Sequence, residues 1–234
     1  MASSQQPHHD ESAPPGNFGS STTSSGSTGG ADLQFSHDPG DHVSPSNSDG
    51  PVFVELFCGC ARLSAHAAQA GFRVFPVDHS YNQHQPAHPI LELDLTDLAG
   101  QTVLWEIFRR LRPVFVHMGV PCGTSSRARD RPIAPALRAQ GAPNPRPLRS
   151  AQHPLGLPGL HPKEKSRVES ANELYMLCAR VVHVCHAQGV SFAIENPARA
   201  WTWEALDVIV QGYNDAAFLA YFRGLFKVDC AACE

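Results

Sequence analysis

Val52-Phe53-Val54-Glu55-Leu56-Phe57-Cys58-Gly59 is an apolar run of strand length that ends in a glycine turn. Residues 61–70 then take up a helical period, closed by Gly71. A buried strand that turns through glycine straight into a helix is the opening unit of a parallel α/β sheet. Such a turn presents backbone N–H groups and a positive helix end at the sheet edge, and glycine lets a ligand approach the backbone closely. The arrangement is shared by many nucleotide-binding folds and by tight turns that bind nothing.

The rhythm continues downstream. Residues 72–77 form a second strand ending at Asp78, and residues 90–93 a short third strand ending at Asp94. A helix capped by Thr96 or Asp97 follows and runs to Arg112, where Pro113 forbids continuation. Residues 114–118 give a fourth strand, residues 169–186 a helix with a broad apolar face stopped by Gly189, and residues 191–194 a fifth strand. A helix near 203–213 and a weak strand at 225–228 finish the chain. The expected fold is therefore α/β: a doubly wound, mostly parallel, Rossmann-like sheet.

Composition divides the 234 residues in two. Residues 1–50 are rich in Ser, Gly, Pro and Thr and hold six carboxylates without Lys or Arg, which reads as a disordered acidic tail. With a net charge of −4 for the whole, the remainder is near +2, a balance that permits nucleic-acid binding without demonstrating it. No apolar stretch reaches the ~20 residues needed to span a bilayer, and no signal-peptide pattern opens the chain. The expectation is a protein with no membrane association and an intracellular location, nuclear if eukaryotic. Seven cysteines, an odd number spread through a domain of this size, read as reduced thiols.

In an open α/β sheet, ligands bind outside the carboxyl ends of the strands. Four segments occupy those ends: Phe57-Cys58-Gly59, Asp78, Pro121-Cys122 and Glu195-Asn196-Pro197. Asp78 lies 23 residues after Glu55, where an acidic side chain can accept ribose hydroxyls; Asp94 is placed for an adenine amino group. Each, taken singly, is equally an exposed strand-end carboxylate. A cysteine beside a proline and a later glutamate beside an asparagine are what methylation at carbon 5 of cytosine requires. Carbon 5 is a poor nucleophile, so a thiolate must add at carbon 6 while an acid protonates ring nitrogen 3.

The four segments, in this order, resemble the cytosine-C5 DNA methyltransferases over residues 51–226. The resemblance implies S-adenosylmethionine as cofactor, held by Phe57, Gly59, Asp78 and Asp94, and double-stranded DNA as partner. It implies Cys122 as nucleophile beside Pro121, Glu195 as acid, Asn196 as the residue fixing the Pro121-Cys122 loop, and Ser126 as the serine of the Pro-Cys motif. The sequence departs from the family at Ala61-Arg62, where small glycine positions are usual, and at Pro197, where valine is more common. Arg62 either pairs with the methionine carboxylate or faces solvent. The family's arginine-bearing motif, target-recognition region and carboxyl-terminal cofactor helix are not visible, so the domain at 51–234 reads as C-terminally incomplete.

Glu195 stands 73 positions after Cys122, about twice the span expected of compact family members. Residues 127–167 hold nine Lys and Arg, among them Arg127, Arg129 and Arg149, against Asp130 and Glu164. A mobile basic loop beside the nucleophile suits phosphate contact and closure over an extruded base; a solvated linker is the alternative. Metal binding by Cys58, Cys60, Cys230 and Cys233 is disfavoured, because the first pair lies inside the cofactor turn. Two other functions fit the same motifs: a catalytically inactive module binding S-adenosylmethionine and DNA, and an RNA cytosine-5 methyltransferase. Target sequence and oligomeric state are not encoded in any motif.

Overall fold

A computed structural model describes residues 49–225. Most of the expected acidic tail, the 225–228 strand beyond Leu225, and Cys230 and Cys233 lie outside those residues.

Five strands, β1 (Val52–Leu56), β2 (Arg73–Asp78), β3 (Leu91–Glu92), β4 (Phe115–Gly119) and β5 (Ser191–Glu195), form one all-parallel sheet in the order β3-β2-β1-β4-β5. Order reverses between β1 and β4, and this is the switch point at which such sheets open a crevice. Alternation divides the side chains of β1. Val52, Val54 and Leu56 join Val116 and Met118 of β4 in the buried core. Leu104 and Phe108 of α2 (Leu98–Leu111) and Leu177 and Val181 of α4 (Pro162–Gln188) complete that layer. On the other face Phe53 stacks on Phe115, ring centroids 5.7 Å apart, and Glu55 meets α1 (Arg62–Gln69).

Local chemistry sets the helix ends. Asp97, not Thr96, caps α2, accepting from Gly100 N at 2.7 Å, and Arg112 ends it in the left-handed region just before Pro113. Helix α4 begins at Pro162, a full two turns before the expected start at 169. Pro162 is the first helical residue, and His161 and Glu164 form a reciprocal capping box in front of it. After α5 (Thr202–Gln211) comes an unexpected helix, α6 (Ala216–Gly224), capped by Asp215 on Phe218 N.

The 119–167 stretch is also more ordered than its composition implies. It holds a 3-10 turn at Arg127–Asp130, a short α3 (Pro135–Ala139), and the fully buried side chains of Ser125, Leu148 and Arg149. Among the described residues no helix is long and apolar enough to cross a membrane.

Candidate active site

The turn after β1 is built on left-handed backbone. Phe57, Gly59 and Ala61 have φ of 58°, 53° and 49°, two of them non-glycine positions where such torsions are unfavourable. The turn is held by its neighbours. Gly59 N donates to Asp78 Oδ2 at 2.7 Å, and Asn82 Nδ2 donates to Gly59 O at 2.6 Å and to Asp78 Oδ2 at 3.3 Å. His79 N donates to Asp78 Oδ1 at 2.8 Å. Cys58 Sγ also lies 4.0 Å from Asp78 Oδ2, and His79 Nε2 3.9 Å from Oδ1, so Oδ1 is the less engaged of the two oxygens. Asp94 accepts from Thr96 N and Oγ1, both on Oδ1, and these bonds hold its carboxyl below the usual range.

The positive end of α1 is already engaged. Glu55, 4 % exposed on β1, accepts from Ser64 N at 2.9 Å and from Ser64 Oγ, so the helix N-terminus carries an internal carboxylate. Arg62, at the first position of the helix, is exposed. A cavity of about 350 Å³ opens beside the turn, lined by Phe57, Gly59, Asp78, Asp94, Gly119, Pro121 and Leu174 together with His79, Tyr81, Asn82 and His84. All four expected cofactor residues thus face one space of ligand size. Among the described residues no Lys or Arg lines it. Its charged groups are carboxylates, and they disfavour a phosphate or pyrophosphate there.

The Pro121-Cys122 turn adjoins that cavity and is fixed from several elements. Asn196 Nδ2 donates to Val120 O at 2.7 Å, across the junction of β4 and β5. Tyr175 of α4 donates its hydroxyl to Pro121 O at 3.3 Å. Cys122 O accepts from Ser125 N at 3.0 Å and Ser126 N at 2.8 Å, closing a tight turn that begins at Cys122. Ser125 Oγ bonds Thr202 Oγ1 at 2.7 Å; Thr202 donates in turn to Asn196 Oδ1 at 2.9 Å. Trp201 N donates to Ser125 O at 2.9 Å. The two loops expected to carry catalysis are therefore one hydrogen-bonded unit. Glu195 is exposed at the mouth of β5 and sits in register with Gly119, which itself lines the cavity.

The thiols are not equivalent. Burial, reinforced by the charges of Asp78 and Glu55, pushes Cys58 up to about 12, and burial alone takes Cys185 to about 12 and raises Cys178 further. Those three are inert near neutral pH. Cys122 and Cys60 are half-buried. Among the described residues no cluster of three or more metal-ligating side chains occurs.

The substrate-side expectations divide. Ser126 caps the 3-10 turn, accepting from Ala128 N at 3.2 Å. Arg127 pairs with Asp130 and lies over the Trp201 ring, 4.1 Å from its centroid. Arg129 Nε donates to Arg146 O at 3.1 Å. Arg131 and Arg138 are exposed. Arg149, expected in the basic loop, is instead 1 % exposed and turned inward, so it is no phosphate contact.

Several residues that make contacts around these strand ends carried no recognisable signal for them in sequence: Asn82, Tyr175, Thr202, Arg149 and His117. His117 of β4 faces Glu55, with Nδ1 4.0 Å from its carboxylate and no hydrogen bond there. Burial lowers its pKa below 6.5, opposed by Glu55 and Glu195. A histidine within a strand reads equally as a core residue, and only the register Glu55↔His117 reveals the pairing.

No family model, curated protein or solved structure matches this chain.

Proposed function

We propose that the protein is an S-adenosylmethionine-dependent cytosine-5 methyltransferase acting on double-stranded DNA. The observation that carries the reading is the Asn196 to Val120 bond, which ties the strand end bearing Glu195 to the turn bearing Cys122 at the edge of the cavity. A thiol and a carboxyl carried on two loops tied in this way are the minimum pair for attack on a pyrimidine ring.

The cavity chemistry supports the cofactor. A dinucleotide needs a free helix N-terminus for its pyrophosphate, whereas here Glu55 occupies that end. An adenosine bearing a sulfonium cation suits a site lined by Asp78 and Asp94 and lacking Lys and Arg. Held there, S-adenosylmethionine would supply an electrophilic methyl group. The Cys122 thiolate adds to carbon 6 of the cytosine, and Glu195 donates a proton to nitrogen 3. Carbon 5, made electron-rich by the Cys122 adduct, would then displace the methyl group from the sulfonium sulfur, leaving S-adenosylhomocysteine. Loss of its hydrogen to a base and return of the nitrogen-3 proton to Glu195 expel the thiolate and restore aromaticity. Exposed Arg131 and Arg138 supply sequence-independent phosphate contact.

Transfer of labelled methyl groups to duplex DNA, compared with Cys122→Ser, tests the reading. Activity on DNA that is lost in the variant supports it; equal or greater methylation of competing RNA replaces the substrate, and activity unaffected by the substitution refutes the mechanism.

A further inference from the structure

A fully buried arginine normally faces a carboxylate, because an isolated charge away from water is costly. Arg149 does not. Its five N–H groups are met by neutral acceptors. Nε and Nη2 donate to Thr124 Oγ1 at 3.3 and 3.0 Å, and Nη2 also to Val168 O at 3.4 Å. Nη1 donates to Pro154 O at 2.6 Å and Asn172 Oδ1 at 2.8 Å. The guanidinium lies 5.1 Å from the centroid of the Tyr175 ring, the same tyrosine whose hydroxyl holds Pro121 O.

These contacts join three parts of the fold. Thr124 belongs to the turn that carries Cys122. Val168 and Asn172 lie on α4, and Arg149 stands 25 positions beyond Thr124, at the far end of the segment bearing Arg127, Arg129, Arg131 and Arg138. That segment therefore leaves the nucleophile turn and returns to it. A planar five-donor fork is the side chain suited to such a junction; lysine has three donors and methionine none.

We propose that Arg149 is a positioning residue for Cys122: it closes the base of the basic segment onto the nucleophile turn and fixes that turn against α4. The functional meaning of the role rests on the methyltransferase reading, but the geometry does not. Phosphate binding along the segment and the placing of the thiol are thereby linked through one side chain.

Thiol reactivity tests this without cofactor or DNA. Iodoacetamide labelling of the full chain, read peptide by peptide by mass spectrometry, reports Cys122 directly. Cys60 serves as an internal reference at the cofactor turn, and buried Cys58, Cys178 and Cys185 report global unfolding. Arg149→Lys and Thr124→Val each remove part of the junction while keeping most of the side-chain volume. Both are expected to change the Cys122 labelling rate about tenfold, with Cys60 within about twofold and the buried thiols protected, as a local loosening requires. Thr124→Val is the milder change and keeps the test decisive if Arg149→Lys fails to fold. Cys122 labelling that matches wild type in Thr124→Val, or that changes only together with the buried thiols, overturns the proposal. Labelling as expected in a protein that transfers no methyl group would instead remove the methyltransferase reading and leave Arg149's role standing.

Discussion

Replacing Asn196 by alanine tests the junction between the two catalytic loops. The side chain makes two bonds: it donates to Val120 O at 2.7 Å and accepts from Thr202 Oγ1 at 2.9 Å. Their loss is unequal. Thr202, fully buried, keeps Ser125 Oγ as a partner at 2.7 Å, so that hydroxyl forfeits one bond of about 1 kcal/mol without being orphaned. Val120 is 4 % exposed, and its carbonyl loses the partner that Asn196 supplies, at a cost of ~1–2 kcal/mol. Asn196→Ala should therefore destabilise the fold by about 2–3 kcal/mol. With a urea m-value near 2 kcal/mol/M, the circular-dichroism midpoint should fall by about 1–1.5 M. Asn196→Asp keeps the acceptor for Thr202 but sets a carboxylate against a carbonyl, and should cost at least as much. A loss within ~0.5 kcal/mol for the alanine variant, as for an ordinary surface change, would refute the reasoning.

Gly100→Ala would place a Cβ 1.9 Å from Asp94 O, a backbone atom that cannot yield cheaply; a loss of about 3 kcal/mol or more in urea melts is expected, and a wild-type midpoint would show the β3–α2 connection to be misplaced. Asp78→Ala should weaken S-adenosylhomocysteine binding by about 1–3 kcal/mol in calorimetry, and unchanged affinity would remove Asp78 from the site. For His117 the sign follows from burial. Its folded pKa lies below 6.5, so the unfolded chain binds the proton more readily, and stability present above pH 6.5 is lost as pH falls through the folded value. His117→Gln should flatten that part of the stability curve; an unchanged slope between pH 6.5 and 5 would show that His117 contributes nothing to it.

How far the sequence carried can be judged from particular residues. Strand positions were legible because parallel strands buried on both faces are apolar runs, as at Val52–Leu56. Their order placed Phe57, Gly59, Asp78 and Asp94 around one cavity. What stayed hidden has local chemistry of an unusual kind or none at all. Histidine is a rare helix cap, so the start of α4 at Pro162 was missed although Glu164 stood in the capping-box position. Arg149 was counted with the surface charges because composition cannot tell a guanidinium bonded to Thr124 and Asn172 from one in solvent. Thr202 and Tyr175 act through contacts 77 and 54 positions away, and no sequence window spans them.

The central claim is that Cys122 forms a covalent bond to cytosine while Glu195 supplies the proton that stabilises the adduct. Duplex DNA carrying 5-fluorocytosine cannot lose its carbon-5 substituent after methyl transfer, so the adduct accumulates on the protein. Incubated with S-adenosylmethionine and that DNA, the full chain should yield a denaturation-resistant complex mapped by mass spectrometry to Cys122. Trapping should be slowed in Glu195→Gln with cofactor affinity retained. Methyl transfer to DNA that persists in Cys122→Ser, or an adduct mapped to any other residue, would contradict the account.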